Sequence, residues 1–204
     1  MSEHVCGQVI VDGAVVANDW PLMPLPVLDE AVRKQAGKVV LFRLTGEQPY
    51  SPDLMASLEV LAGRVIVPLS VWRVQKDALA GRVAAGEIGI CIDTHELVED
   101  LVESCADLHV FPVIAVRFER FADGRGYSIA TLLRTRYGYR GQLRAVGDVL
   151  RDQLFLMKRC GFNAFAVRAD RDIEVALGGL RDFTEPYQGA VDDPQPLWRR
   201  HARV

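Results

Sequence analysis

The fold is decided by the segment that runs from Asp123 to Asp170, DGRGYSIATLLRTRYGYRGQLRAVGDVLRDQLFLMKRCGFNAFAVRAD. It begins with a glycine-containing loop and continues as a helix-like run, the apolar run 143–146, a second helix-like run and the apolar run 164–168. Apolar runs of about four to eight residues that alternate with helical patterns are typical of buried parallel strands joined by helices. The segment therefore predicts an α/β fold.

The same alternation extends through most of the chain. We predict strands at 39–44, 64–69, 88–92, 112–118, 143–146 and 164–168. We predict helices at 27–35, 52–61, 75–85, 96–105, 128–137, 149–160 and 173–183. The strands are continuously apolar, so both faces of their sheet should be covered. About six βα units of this kind predict a mostly parallel sheet, either incomplete-barrel-like or open and doubly wound.

The two ends of the chain follow different patterns. Residues 8–17 predict a β-hairpin, because Asp12-Gly13 forms a type I′ turn sequence between two β-branched runs. Residues 184–204 contain several prolines and arginines, and we expect an extended tail there. No composition change marks a boundary in between, so the expectation is one α/β domain over 1–204.

Composition excludes several classes of protein. A net charge of −3 over 204 residues gives no nucleic-acid footprint. No apolar run approaches the ~20 residues of a membrane span, and the first residues do not resemble a secretory signal. The four cysteines are widely spaced and lack a paired-ligand pattern, which predicts reduced thiols, no metal site and a cytoplasmic location. The sequence does not identify a cofactor.

Polar residues follow most of the predicted strands. Parallel strands gather such residues at one edge of the sheet, where α/β proteins bind their ligands. The arginines among them predict a site of mixed charge with an arginine excess. These residues are Arg43, Thr45, Ser70, Arg73, Asp93, Thr94, His95, Arg117, Asp148, Arg168 and Asp170.

The loop 123–128 is the sharpest local candidate for an anion site. Its glycines allow close backbone approach, and a helix that starts at Ser128 would present its N-terminus to an anion. Guanidinium groups complement oxyanions, so the predicted anion-binding residues are Arg125, Gly126, Ser128, Arg134, Arg136, Arg144 and Arg168. The alternative is a tight turn in which Ser128 is an ordinary N-cap.

Asp148 and His95 are the candidate catalytic residues, as general acid or base. Each has a simpler alternative. Asp148 can cap helix 149–160, and His95 can be a solvated residue at the start of helix 96–105, in a capping box between Asp93 and Glu96. Asp170 is expected to cap the last helix.

Several motifs together give the chain a family resemblance. They are Asp-Gly-Arg-Gly-Tyr-Ser (123–128), Leu-Leu-Arg-Thr-Arg-Tyr-Gly-Tyr-Arg-Gly (132–141), Leu-Arg-Ala-Val-Gly-Asp-Val-Leu-Arg-Asp-Gln-Leu (143–154), Arg-Cys-Gly-Phe-Asn-Ala-Phe (159–165), Tyr-Gln (187–188) and Pro-Leu-Trp-Arg-Arg (196–200). With these motifs the chain resembles the bacterial domain of unknown function 934 family, in which Asp is expected at the position of Asn163.

The resemblance implies a pathway and no mechanism. Such proteins are generally described as oxidoreductases involved in sulfite reduction, and the family supplies no established catalytic residues. Because the chain lacks a cysteine set for a cluster or siroheme, we expect an accessory protein of assimilatory sulfate or sulfite reduction. It would bind a small oxyanion or the sulfite reductase.

Two alternatives remain open. One is an enzyme, which an oxidoreductase would fit, that acts on a small anionic metabolite through Asp148 or His95, with Arg125, Arg144 or Arg168 fixing the anion. The other is a structural partner that interacts through the hairpin or the tail.

Overall fold

The computed structural model describes residues 7–27 and 43–200. All but the first residue of the predicted helix 27–35 and most of the predicted strand 39–44 lie outside these residues, and Arg43 and Leu44 are not in a strand. In chain order the strands are β1 Gln8–Val11, β2 Ala14–Ala17, β3 Val65–Pro68, β4 Ile88–Asp93, β5 Val113–Phe118, β6 Gln142–Gly147 and β7 Ala164–Phe165. The helices are α1 Pro52–Ser57, α2 Leu69–Ala84, α3 Val98–Ser104, α4 Arg125–Thr135, α5 Leu154–Arg159, α6 Ile173–Gly178 and α7 Leu197–Arg200.

The strands form one open sheet of order β2-β1-β7-β6-β5-β4-β3. Strands β3 to β7 are parallel, and the β1–β2 hairpin adds to β7 in antiparallel fashion. The predicted α/β class and hairpin are confirmed. Asp12 and Gly13 both have positive φ, 48° and 81°, as a type I′ turn requires.

The strand order separates the two architectures that the sequence left open. Each parallel strand lies beside the next one in the chain, so the order never reverses as it does in a doubly wound sheet. Right-handed crossovers in one direction place the helices on one face. Accordingly, Ile90 and Ile92 of β4 pack with helix residues such as Leu101 in the main core. The sheet is therefore incomplete-barrel-like.

A short crossing segment, residues 18–23, covers the other face. It leaves β2 at Ala17 and reaches β3 at Leu22, which forms a parallel bridge with Ile66. Five residues extend at most about 18 Å, whereas β2 and β3 would lie about 29 Å apart in a flat sheet of this order. The sheet must therefore curve, and the crossing segment runs over its concave face.

Buried contacts hold the crossing segment in place. Trp20 packs on that face against Cys91, Ala115 and other apolar side chains. Arg144 of β6 is 2% exposed, and its Nη1 donates to Asn18 Oδ1 at 2.9 Å and to the Trp20 carbonyl at 3.3 Å. The crossing segment and Arg144 thus fill the concave face below the carboxyl ends of the strands.

Gly147, at the carboxyl end of β6, allows a close backbone approach. Its φ is +93°, and a Cβ there would lie 2.4 Å from the Phe118 carbonyl oxygen. That carbonyl accepts the Asp148 N–H at 2.8 Å. Only glycine fits this position, where the chain turns from β6 into the edge of the sheet.

We expect Gly147→Ala to lower the free energy of unfolding by about 3 kcal/mol or more, because left-handed strain adds to a backbone clash. Gly138→Ala is the matched control. Its φ is +64°, and a Cβ there would have no atom within 4 Å. Only the left-handed strain of about 1–2 kcal/mol therefore applies. Urea unfolding measures both, and equal losses in the two variants would contradict the assigned clash.

Candidate functional site

An ion pair lies at the carboxyl ends of two central strands. Asp93 of β4 and Arg117 of β5 are register partners, and Arg117 Nε lies 2.8 Å from Asp93 Oδ1. Their side chains are 5% and 12% exposed. Alternation along the strands directs both toward the concave face. Cys91 lies two residues earlier on that face, and burial raises the pKa of its thiol to about 12, so it is not a nucleophile.

A second guanidinium reaches the same aspartate. Arg43 belongs to the edge loop, which we define as residues 43–47. Its Nη1 lies 2.8 Å from Glu119 Oε1 and 3.9 Å from Asp93 Oδ2. Asp93 therefore lies between Arg117 and Arg43, while Glu119 forms the outer contact of Arg43.

A third guanidinium joins the edge loop to α4. Arg125 donates to both carboxylate oxygens of Asp123, through Nε at 2.9 Å and Nη2 at 2.7 Å. Its Nη1 donates to the Arg43 carbonyl at 2.8 Å and to Thr45 Oγ1 at 3.3 Å. The Asp123 carboxylate also accepts from Thr94 Oγ1 at 2.5 Å. Burial alone would raise the pKa of Asp123, but the hydrogen bonds from Arg125 and Thr94 outweigh it and lower the pKa to about 2.

His95 lies beneath the edge loop. It is 3% exposed, and its carbonyl accepts the Gly46 N–H at 2.7 Å. Its buried Nδ1 has no hydrogen-bond partner among the described residues. Burial, followed by the positive charge of Arg43, lowers the pKa of the imidazole to about 4, so the ring is neutral at physiological pH. The expectation of a solvated histidine is wrong, because the edge loop covers it.

Glu96 is a buried carboxyl beside this histidine. Its Oε2 accepts the Asp93 N–H at 2.8 Å, and its own N–H donates to the Asp93 carbonyl at 2.9 Å. Burial and the nearby negative charge of Asp93 raise its pKa to about 8. The predicted Asp93–Glu96 contact is present, but it closes a turn rather than capping a helix, since α3 begins at Val98.

The other catalytic candidate, Asp148, belongs to a neighbouring ion-pair group. Asp148 Oδ2 accepts the Phe121 N–H at 2.9 Å, and its Oδ1 lies 2.8 Å from Arg168 Nη1. Arg168 also donates to both oxygens of Asp170, at 2.6 and 3.0 Å. Neither aspartate caps a helix as predicted, because Arg168 binds both. Asp172 caps α6 instead.

The loop 123–128 does not have the predicted anion-binding geometry. Helix α4 begins at Arg125, so Ser128 lies within it and is not an N-cap. The Asp123 carboxylate accepts the Arg125 N–H at 3.2 Å and is itself the anion at this helix start. Gly126 serves packing, because a Cβ there would lie 2.5 Å from the Phe118 ring.

The remaining predicted anion-binding arginines lie away from this edge. Arg134 is at the opposite end of the sheet, where it donates to the carbonyls of Tyr139, Gly141 and Gly161. Arg136 contacts Glu99 at 3.5 Å on the surface. Arg144 holds the crossing segment. Local sequence does not reveal which end or face of an element an arginine occupies. It therefore does not distinguish Arg134, Arg136 and Arg144 from the arginines of the edge.

Some site residues were not singled out from the sequence. Glu119 follows β5 and belongs to no motif. Asp123 belongs to the predicted glycine-containing loop, but the sequence assigns its side chain no role in the site. A charged residue at the end of an apolar strand is the sequence signal that indicates such site residues, and Arg117 and Glu119 both have it. Ser70 and Arg73, predicted at the edge, lie on α2, where Arg73 contacts Asp100 at 3.0 Å.

Comparison with known proteins places this arrangement in a family. Residues 89–198 match the family model described as "Bacterial protein of unknown function (DUF934)". The chain belongs to this family. The match spans β4 to β7 and so includes the Asp93–Arg117 pair and the Asp148–Arg168 pair of this DUF934 protein, whereas the edge loop lies outside it. No curated protein and no solved structure shows significant similarity to the chain.

No helix within 7–27 and 43–200 has the length and apolar character needed to cross a membrane. Across the same ranges, no group of at least three His, Cys, Asp or Glu side chains has the arrangement of a metal site.

The raised pKa of Glu96 predicts a pH dependence of stability. The folded state keeps this proton up to about pH 8, whereas the unfolded state releases it near the ordinary glutamate pKa of 4.5. Stability should therefore fall as the pH rises between these values. From pH 5 to 8, we expect the free energy of unfolding of the parent chain to fall by about 2–4 kcal/mol more than that of Glu96→Gln. The amide oxygen of this variant still accepts the Asp93 N–H.

Urea unfolding at intervals of pH measures this difference. Glu99→Gln is the control, because Glu99 lies on the following helix with its side chain 43% exposed. Parallel pH profiles for the parent chain and Glu96→Gln would show that Glu96 is not protonated in the folded state.

Proposed function

We propose that this DUF934 protein is a cytoplasmic accessory protein of assimilatory sulfite reduction that holds a small oxyanion at the carboxyl edge of its sheet, and that it is not the siroheme catalyst. The observation that carries the proposal is the Arg43–Glu119 contact beside Asp93 and Arg117. The oxyanion takes the place of the Glu119 carboxylate on Arg43.

Glu119 is the carboxylate best suited to leave this site. Its side chain is 27% exposed, whereas those of Asp93 and Asp123 are 5% and 3% exposed. Its ion pair costs less to open than a fully buried one, because water solvates the released carboxylate. Asp123, by contrast, is held by Arg125 and Thr94. The site thus contains one carboxylate that can be exchanged among others that are fixed.

Arg43 is suited to receive the replacing anion. Its guanidinium stays charged at every relevant pH, and its planar donors match the oxygens of sulfite, sulfate or phosphate. The side chain is 15% exposed and lies over the Tyr50 ring at 5.6 Å, which restricts its orientation. A preformed donor of this kind loses little entropy when an anion binds. The family resemblance supplies the link to sulfite.

An enzymatic function is the second candidate, and one observation favours it. The neutral imidazole of His95 and the protonated carboxyl of Glu96 are sequence neighbours at the carboxyl edge. Titratable groups with pKa values shifted in opposite directions are typical of acid–base sites. Under this alternative, His95 and Glu96 replace Asp148 as the residues that move protons, since Arg168 and the Phe121 N–H engage both oxygens of Asp148.

Titration calorimetry with sulfite tests the exchange of carboxylate for oxyanion. We expect Glu119→Gln to bind sulfite more tightly, by about tenfold, because the competing charge is removed. Arg43→Ala should weaken binding by at least about tenfold. Arg136→Ala, a surface arginine at the other end of the sheet, should leave the affinity unchanged. Unchanged or weaker binding by Glu119→Gln would refute the proposed exchange.

Growth of a deletion strain tests the pathway. Loss of the protein should prevent growth on sulfate or sulfite as sole sulfur source and permit growth on sulfide, because only steps up to sulfite reduction are affected. The parent chain should restore growth, and Arg43→Ala should restore it poorly. Normal growth of the deletion strain on sulfite would exclude the accessory role.

A further inference from the structure

We infer that the edge site accepts its oxyanion as a monoanion that still carries a proton, and that His95 contacts this ligand and selects that form. This inference rests on the proposed function and defines the chemical class of its ligand. It assigns to His95 a role in specificity.

First, one ring nitrogen of His95 lacks a hydrogen bond among the described residues. The residue is 3% exposed, and its Nδ1 has no partner within the described part of the chain. Leaving a buried polar atom unsatisfied costs about 1–3 kcal/mol. Such an atom in a site is explained when a ligand supplies the missing hydrogen bond.

The second step is the set of charges that face the imidazole. The charges that act on the ring belong to Arg43 and Glu47 of the edge loop, to Glu119 after β5 and to Arg125 of α4. The His95 carbonyl also accepts the Gly46 N–H of the edge loop at 2.7 Å, so the residue belongs to the same edge as the Arg43–Glu119 contact, where the oxyanion is proposed to bind. We infer that a ligand on Arg43 reaches the Nδ1 of His95, which is unpaired among the described residues.

The third step is the balance of charge. Three guanidinium groups are paired with three carboxylates in this cluster, namely Arg43, Arg117 and Arg125 with Asp93, Asp123 and Glu119. Glu47 adds a further carboxylate in the edge loop, where it accepts the Leu44 N–H. When an oxyanion replaces Glu119, a monoanion leaves the net charge of the site unchanged. A dianion would add an uncompensated negative charge beside buried carboxylates, which is unfavourable.

The fourth step is the state of His95 itself. Burial and Arg43 keep the imidazole neutral, so it adds no positive charge that would compensate a dianion. A neutral imidazole has one donor and one acceptor nitrogen, and Nδ1 as acceptor can bind an O–H group. Hydrogensulfite and dihydrogenphosphate have this character. Sulfate does not.

Three anions separate charge from hydrogen bonding in titration calorimetry. Sulfite changes from monoanion to dianion near neutral pH, sulfate stays a dianion, and methanesulfonate stays a monoanion without a proton. At pH 6 we expect sulfite to bind at least about tenfold more tightly than sulfate. From pH 6 to 8 the affinity for sulfite should fall more steeply than that for methanesulfonate, whose pH profile reports titration of the protein, including Glu96.

Substitution of His95 provides the second readout. In His95→Leu the preference for sulfite over methanesulfonate at pH 6 should fall by about fivefold, the value of one hydrogen bond, and His95→Gln should retain part of it. Tighter binding of sulfate, or of sulfite at pH 8, would overturn the inference even if His95→Leu does not fold. An unchanged preference in a folded His95→Leu would also overturn it.

The results distinguish failure of the proposed oxyanion function from failure of the inferred selection of a monoanion. If none of the three anions binds at any pH, the oxyanion function itself is wrong. If sulfite binds and Glu119→Gln tightens it while the pH trend is reversed, the oxyanion function stands and only the selection of a monoanion is wrong.

Discussion

Asp93 and its two guanidinium partners are the constraint on which the candidate site depends. The β4–β5 register places Asp93 opposite Arg117, and the edge loop brings Arg43 to the other oxygen of the same carboxylate. A buried carboxylate is costly unless it is compensated, and removal of one partner of such a pair is strongly destabilising. The remaining polar groups are arranged around this requirement. Asp123 orients Arg125, Arg125 holds the edge loop, and the loop covers His95.

The curvature of the sheet explains why the polar groups are confined to one edge. The crossing segment closes the concave face with Trp20, and Arg144 binds its backbone and Asn18. The helices close the convex face. Mostly apolar side chains, with Arg144 among them, therefore fill both faces below the carboxyl ends of the strands, and the partly exposed side chains of Arg43, Glu119 and Arg125 lie at the edge. A curved, singly wound sheet gives this result without a topological switch point, which is where open doubly wound sheets bind ligands.

Much of the fold could be predicted from the sequence, because its determinants are local. The Asp12-Gly13 turn requires positive φ at both residues, and the apolar runs at 88–92 and 112–118 required cover on both faces. The direction of winding could not be predicted, since no local pattern specifies on which side of a strand its successor pairs. Helix starts were also predicted poorly. Ser128, Asp148 and Asp170 have the composition of N-caps, but the first lies inside a helix and the other two pair with Arg168.

The location of the site at the carboxyl edge could be predicted from the sequence, but the set of arginines in it could not, because long-range contacts decide it. The general rule on carboxyl ends correctly placed His95, Arg117 and Arg43 at one edge. The choice among arginines required three-dimensional contacts, because Arg134 and Arg144 stabilise backbone elsewhere. The expected arginine excess is not found, because Arg43, Arg117 and Arg125 are each paired with a carboxylate, and we propose that an anion enters when one carboxylate leaves. This exchange is the central claim of the account.

An experimental structure of the protein grown with sulfite near pH 6 tests that claim most directly. The account predicts an oxyanion on the Arg43 guanidinium, with the Glu119 side chain turned into solvent and His95 Nδ1 in contact with a ligand oxygen. A sulfite-bound structure in which Glu119 still contacts Arg43, with the ion at another surface, would contradict it.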